Sequence, residues 1–564
     1  MPAPISPAAN LRASLHAFAE RLTDTRFGLP GDSQVEREKL RERALWSVNE
    51  YLLPRLGDLD APLVVVLIGS TGSGKSTVLN SLGSRRISEP GAIRPTTTMP
   101  VIWTHADHAD RYSDDFLTGY GSDEAPLRIV TDDDRLLTGV TIVDAPDFDS
   151  VVGHHRQIAT DLLAVADVVV FITSAQRYAD AVPWEFLGKA RDRSVPILFV
   201  ANRIPADAGD LVTDYQRLLT EHGFVIAERF FEVAEQSIDE STGALPKSVV
   251  FSLRAQLEVM ALESGRKSVL GISIRGAIEE LAVRAMELES AVQAERDDGD
   301  RLRRVATEAY ERQIAEVSRS LGAGELIRRE VVGRWQDFVG TGEVVKAIGE
   351  GVARLSAWMR RVVGGSRPVN RVRDDARSEL REVLVRRADL AAAAAASSWE
   401  LDSAGREFLS GRSLWRHADA TEERAEHAIE DWLVGLSELI ADAGESKKRS
   451  ATVASYGVNT IAVVLILAVF LQTGGLTGAE VGVAAGAAAA QQKLLEHLFG
   501  SAAARSLIET ARGRLEEIAG NVLLADGARF SQLIDAHSAD LPEEGVISAA
   551  FGRVRNEEKA WHGV

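Results

Sequence analysis

The most apolar short run in the first half of the chain is Leu63-Val-Val-Val-Leu-Ile68, unbroken by any polar residue. A continuous valine-rich run of this length predicts a strand buried on both faces of a parallel sheet. Val101–Thr104, Val140–Val143, Val168–Thr173 and Ile197–Ala201 are shorter runs of the same kind, and amphipathic stretches at about 155–166, 182–192 and 211–221 lie between them. Such alternation predicts a doubly wound α/β domain. Upstream, Val35, Leu40, Ala44, Val48, Tyr51 and Leu52 recur near helical spacing and predict one helix over 33–53, broken by Pro54 and then by Asp58 to Pro62.

Beyond about residue 248 the strand pattern gives way to helical periodicity. It runs through Val249–Leu262, Ile274–Val292, Leu302–Leu321 and Val372–Leu390. Leu302, Val305, Ile314, Val317 and Leu321 mark one face; Ile508, Ala511, Leu515, Ile518 and Val522 mark another. Residues 391–396 are all alanine, a strong helix former. This half therefore reads as a long all-α bundle or stalk. The expected organisation is N-terminal helices over 1–60, a nucleotide-binding α/β domain over 61–247, helices over 248–449, a hydrophobic segment over 450–492, and helices returning to the stalk over 493–564.

Composition narrows the classes. A chain of 564 residues is too long for one core. Its net charge of −19 and lack of any concentrated basic block argue against a nucleic-acid partner. Without cysteine there are no disulfides, thiolate metal sites or cysteine nucleophiles, in keeping with a reducing compartment. Residues 1–10 lack the charged and apolar regions of a signal peptide.

The chemistry begins directly after the 63–68 strand. Gly69-Ser70-Thr71-Gly72-Ser73-Gly74-Lys75-Ser76 fits G-x-x-x-x-G-K-[ST], and Ser76–Leu82 can open a helix, as a phosphate-binding loop requires. Glycines let main-chain N–H groups turn toward a phosphate. Lys75 brings a positive charge to the β- and γ-phosphates, and the Ser76 hydroxyl is a Mg²⁺ ligand, with Thr77 completing the first turn. Asp144, at the end of the predicted 140–143 strand, suits the second Mg²⁺ contact; the bland alternative is an Asx turn. In Arg94-Pro-Thr96-Thr97-Thr98-Met-Pro100, a threonine could close over the γ-phosphate and ligate Mg²⁺; Thr97 is the expected residue, with Thr96 in reserve.

The order of the phosphate loop, the threonine loop and Asp144-Ala-Pro-Asp147 resembles the translation-factor-like class of P-loop GTPases, nearest to its Era-like and bacterial dynamin-like branches, across about 63–202. The resemblance implies GTP as substrate, Mg²⁺ as cofactor and hydrolysis to GDP and phosphate. The motif D-x-x-G would place glycine at 147, where this chain has Asp147; a carboxylate there repels the γ-phosphate unless a cation intervenes. Phe148 stands where Ras-like relatives carry a water-orienting glutamine, so no catalytic base is assigned. The base-reading N-K-x-D appears as Asn202-Arg203-Ile204-Pro205: Asn202 and Arg203 are the expected nucleotide contacts, Pro205 cannot act as the carboxylate, and Asp207 is a substitute if the loop bends. Val233-Ala-Glu-Gln236 is a degenerate last guanine loop, and ATP stays open.

Lys447-Lys448-Arg449 precedes thirty uncharged residues, Ser450 to Ala479, and Val481 to Gln492 is uncharged again before Lys493. Residues 453–472 reach the length of about 20 needed to span a bilayer. Gly474-Gly475 suggests a hairpin with both ends on the cytoplasmic side of the cell membrane. The alternative is a helix buried in the bundle core. Bacterial dynamin-like proteins insert a similar hydrophobic hairpin within a helical stalk, so membrane lipid and a homo-oligomer or paired GTPase are the partners that the resemblance implies. Val345, Ile348, Val352, Leu355, Met359 and Val362 form a second amphipathic candidate for lipid or for stalk packing. Competing readings are a transporter-like ATP-hydrolysing module, for which Leu409-Ser-Gly411 is a weak signature, and a nucleotide-dependent scaffold that has lost hydrolysis.

Overall fold

The computed structural model describes residues 7–89, 99–112, 127–147, 153–174, 178, 181–205, 209–323, 326, 366–443, 458–471, 492, 495–496 and 498–561. The chain divides into two compact units. One comprises Met1–Phe27, Val35–Ala294 and Asp540–Val564; the other comprises Gly28–Gln34 and Glu295–Ala539.

The first unit is built on a seven-stranded sheet. In chain order the strands are β1 (Leu63–Ile68), β2 (Val101–His105), β3 (Arg128–Asp132), β4 (Val140–Asp144), β5 (Val168–Ser174), β6 (Ile197–Ile204) and β7 (Phe230–Ala234). Their spatial order is β3-β2-β4-β1-β5-β6-β7. Five strands, β4-β1-β5-β6-β7, run parallel, whereas β2 lies antiparallel to β4 and carries β3 parallel to itself. The sheet is thus α/β as its alternation predicts, with a reversed pair at one edge.

Successive side chains of β1 point to opposite faces, and both faces are covered. Leu63, Val65 and Leu67 pack with Val78, Leu79 and Leu82 of the helix Lys75–Gly83 and with Val250, Leu253 and Leu257 of Lys247–Ala261. Val64, Val66 and Ile68 pack on the other side with Ile158 and Leu162 of Gly153–Val165, and Tyr215 and Leu219 of Gly209–Glu221 share that cluster. Each fully buried aliphatic side chain contributes roughly 1.5–3 kcal/mol, which is why so polar-free a run settles at the centre of the sheet.

A third cluster of this unit joins Leu15 and Phe18 of Pro7–Asp24, Ile278 and Leu288 of the long helix Glu263–Ala323, and Phe551 and Val554 of Val546–Ala560. Phe18 and Phe551 meet edge to face with ring centres 5.4 Å apart. Pro54 does not terminate the helical path. A π-helical turn over Ser47–Leu52 leads into Leu53–Gly57, with Pro54 in its first turn, where a missing N–H removes no intrahelical bond.

The second unit is helical in its described residues. Its core brings together Leu302 and Tyr310, the buried alanines Ala391 and Ala395 of Ser366–Trp399, Trp432 of Ala420–Ala443, and Leu515 and Val522 of Ser501–His537. Trp399 Nε1 donates to the Leu302 carbonyl at 3.0 Å, and Trp432 Nε1 to the Ala511 carbonyl at 2.9 Å. Leu409-Ser-Gly411 belongs to this unit, where Gly411 turns with φ +69° after the helix Ser403–Leu409.

The expectation of a transmembrane helix over 453–472 is corrected for the described residues: none of their helices is long and apolar enough to cross a membrane. The helix found there, Val458–Leu471, has 14 residues, about 21 Å at the usual rise, against a hydrocarbon core of about 30 Å. Residues 461–466 and 468–470 are covered by the protein itself, Leu465 and Ile466 inside the helical core and Phe470 beside Trp432 at a ring distance of 6.3 Å. The remainder of 444–457 and 472–491, and the amphipathic candidate over 345–362, lie outside the described residues.

Candidate functional site

The predicted phosphate loop links the C-terminal end of β1 to the helix Lys75–Gly83. Its backbone explains its glycines. Gly72 and Gly74 have φ of +77° and +92°, in the left-handed region where a side chain is strained. Gly69 has no room for a Cβ against the carbonyl of Ile172, nor Gly74 against the Asn202 amide. Ser73 N donates to the Ser70 carbonyl at 3.0 Å, closing the turn. Gly74 caps the helix without offering a side-chain acceptor, so the cap residue does not compete for the amides at this buried helix end, an arrangement suited to an anion.

Parallel pairing sets Asp144 beside Leu67 of β1, and Ala145 N continues the ladder by donating to the Leu67 carbonyl at 3.2 Å. This register delivers Asp144 and Asp147 to the loop. Ser76 Oγ donates to Asp144 Oδ2 at 2.7 Å. Lys75, 4 % exposed, donates from Nζ to the Gly69 carbonyl at 2.9 Å and forms a short ion pair with Asp147 Oδ1. The cation that a carboxylate at 147 requires is thus the loop's own lysine. Burial raises the Asp144 pKa above the ordinary carboxylate range, against the opposing pull of Lys75, Ser76 and Ser88.

Two residues that sequence reasoning passed over complete the cluster. Ser88 Oγ donates to the same Asp144 Oδ2 at 2.7 Å. Asn80 holds Ser88 in place: its Oδ1 accepts from Ile87 N at 2.8 Å and Ser88 N at 2.9 Å, and its Nδ2 donates to the Ser88 carbonyl at 2.8 Å. Neither residue belongs to a recognisable motif.

Asn202 lies at the C-terminal part of β6, where its Nδ2 donates to the Ser73 carbonyl at 2.7 Å and its Oδ1 accepts from Arg203 N at 2.9 Å. Arg203 is exposed with φ +55°. The structure therefore gathers Gly69, Ser70, Thr71, Gly72, Ser73, Gly74, Lys75, Ser76, Thr77, Asp144 and Asn202 around one loop. Val233 and Ala234 lie in β7, with Glu235 and Gln236 exposed after it. Thr96, Thr97, Phe148 and Asp207 lie outside the described residues.

Among the described residues several polar atoms here are buried without a partner: Ser70 Oγ, Ser73 Oγ, Asp144 Oδ1 and Asp147 Oδ2. Unsatisfied buried oxygens cost about 1–3 kcal/mol each, so a cluster of them points to a ligand that satisfies them. The donors fit Mg²⁺: hard oxygens only, one carboxylate and one hydroxyl, leaving positions for phosphate oxygens and water. No group of three or more His, Asp or Glu side chains among the described residues is placed to hold a metal ion. A seven-stranded α/β domain carrying a glycine-rich loop on a helix N-terminus, with a lysine, a serine and a strand-end aspartate converging on it, is the class of site that fold and geometry define.

No family model matches the chain. A curated protein from Arabidopsis thaliana, "Probable transmembrane GTPase FZO-like, chloroplastic", is 26% identical over 165 residues, 28% of this chain. The aligned part spans 17% of that protein's length. Two solved structures of an oligomerised bacterial dynamin pair, described as a mechanism for long-range sensing and tethering of membranes, align over 98% and 94% of this chain and 94% of theirs. Their TM-scores are 0.43 and 0.41 at 12% identity, too loose a superposition to place individual residues.

Proposed function

We propose that this chain is a P-loop nucleoside triphosphatase that hydrolyses GTP to GDP and phosphate with Mg²⁺ at the cytoplasmic side of a membrane. The observation that carries the reading is the buried Lys75 at the head of the helix Lys75–Gly83, set in a glycine loop beside a hydroxyl–carboxylate pair. In this reading the loop amides and Lys75 Nζ bind and orient the β- and γ-phosphates. Ser76 and Asp144 would hold the metal, and Ser88 holds Asp144 in its rotamer. Thr97 closes over the terminal phosphate and adds a metal contact. Bound Mg²⁺ neutralises charge on the phosphate oxygens. Burial of the site excludes water other than the attacking one.

GTP is preferred over ATP on two grounds: Asn202 at the end of β6 stands where a base-reading loop begins, and the Arabidopsis relative is named a GTPase. Arg203 adds a base or ribose contact. Membrane association is supported by the uncharged stretch from Ser450 to Ala479 and by the word transmembrane in that relative's name. The contact with lipid is assigned to residues beyond the covered helix Val458–Leu471, and coupling of nucleotide state to the helical region, with self-assembly, belongs to the same reading.

The decisive experiment measures phosphate release from GTP and from ATP by the full chain, with Lys75→Ala as control. Release from GTP at least about a hundredfold above the control supports the reading. Release only from ATP turns it to the ATP-hydrolysing alternative, and nucleotide binding without release leaves a scaffold. Flotation with anionic liposomes, with and without GTP, tests the membrane; a chain that stays with the soluble fraction under both conditions removes that part.

A further inference from the structure

The position of Asp147 opposes the proposed substrate. Asp147 is 3 % exposed, its Oδ1 forms an ion pair with Lys75, and its Oδ2 is buried with no partner among the described residues. The pair bridges 72 residues of sequence, so it is a product of the β1–β4 register and not of local geometry. Lys75 Nζ also donates to the Gly69 carbonyl, and the loop offers no second ammonium among the described residues within its bonded partners.

We infer that Asp147 sets the selectivity of the loop between nucleoside diphosphate and triphosphate, by occupying Lys75 as an internal anion that a terminal phosphate has to displace. The inference rests on the function proposed above. Its physical basis is competition for one cation. A carboxylate and a terminal phosphate cannot both hold the same buried ammonium at contact distance, and like charges in a desolvated site repel strongly. A diphosphate, lacking the terminal group, leaves more of the Lys75–Asp147 pair intact. Asp147 thus weakens triphosphate binding more than diphosphate binding, and Mg²⁺ narrows the difference by screening the repulsion. The same contact stabilises the nucleotide-free protein, because without it Lys75 is a buried charge lacking its carboxylate.

The test is a titration of fluorescent N-methylanthraniloyl GTP and GDP into the full chain, into Asp147→Asn and into Asp147→Gly, with and without Mg²⁺. Both variants are expected to bind the triphosphate at least about tenfold more tightly than the unchanged chain, with diphosphate affinity moving less than about threefold. Thermal melts of the nucleotide-free variants are expected to fall and to recover with the triphosphate, a readout independent of turnover. In the unchanged chain without Mg²⁺, the diphosphate is expected to bind more tightly than the triphosphate, which keeps the inference open to refutation if either variant does not fold. Binding with an unchanged triphosphate-to-diphosphate ratio in folded variants, or a metal-free preference of the unchanged chain for triphosphate, overturns the inference alone. Absence of binding by all three chains removes the nucleotide reading and the inference together.

Discussion

Two buried carboxylate clusters sit at opposite ends of the sheet, and they differ in one respect. Asp167, just before β5, is wholly satisfied: Oδ1 accepts from Tyr51 Oη at 3.0 Å, and Oδ2 accepts from Val64 N at 2.7 Å and pairs with Arg55 at 2.5 Å. Its carbonyl accepts from Ser273 Oγ at 2.9 Å, and Arg193 lies over the Tyr51 ring at 4.6 Å. Asp144 and Asp147, at the C-terminal end of β4, each keep one oxygen buried and unpaired among the described residues. Both clusters are inaccessible and both contain arginine or lysine, so burial and charge do not separate them. Completeness of hydrogen bonding does: the first ties elements together, and the second is complete only when something else binds.

Removing Asp167 gives the largest expected effect. Asp167→Ala strands the Arg55 guanidinium, which is expected to lower stability by about 3–5 kcal/mol in urea melts, with nucleotide affinity kept in the folded fraction. A loss of affinity equal to the loss at the loop would break the comparison. Asp144→Asn is expected to do the reverse. Neutralising a carboxylate that burial already pushes toward its protonated form leaves nucleotide-free stability unchanged or higher. Mg²⁺-dependent nucleotide affinity is then expected to fall by about 10–100-fold, read by titration with and without the metal.

Asn80→Ala sharpens the boundary between the two kinds of cluster, because Asn80 satisfies the backbone of Ile87 and Ser88 beside the site. Its loss is expected to cost about 1–3 kcal/mol and to weaken Mg²⁺ dependence by freeing Ser88. Ser88→Ala should reproduce only the second effect. The smallest effect is at Asp134, which ties the chain to Arg254 at 2.7 Å and caps Leu136 N at 2.9 Å. Partial burial raises its pKa, but the Arg254 bond and the Leu136 amide outweigh that and hold it below the ordinary value of 3.8. A lowered folded-state pKa contributes stability that is present above 3.8 and lost as pH falls through the folded value. Asp134→Asn is therefore expected to reduce stability at pH 7 by about 1 kcal/mol and to flatten the acid limb of the stability profile below pH 4. An unchanged acid limb would remove Asp134 from the account.

The strand β1 and the phosphate loop were legible because their signals are local. An unbroken apolar run has few places to go but a doubly covered sheet, and glycine spacing is set by φ at Gly72 and Gly74. The strands β3 and β7 were not legible: they lie at the sheet edges, only Val233 among their ten residues is buried, and each is a short run interrupted by polar residues, without the unbroken aliphatic stretch that marks β1. The apolar segment at 458–471 read as part of a membrane segment with a core helix as the alternative, and the sequence could not exclude the core helix because both environments reward the same side chains.

Chain order alone determined that a strand, a glycine loop and a lysine-headed helix would follow one another, since each depends on neighbours a few residues away. Tertiary structure alone decided which carboxylate Lys75 would meet, that Ser88 would reach Asp144 across 56 residues, and that Leu465 and Ile466 would be covered by protein. Those outcomes depend on strand register and helix packing, in which residues far apart in sequence become neighbours only once the whole sheet or bundle has closed.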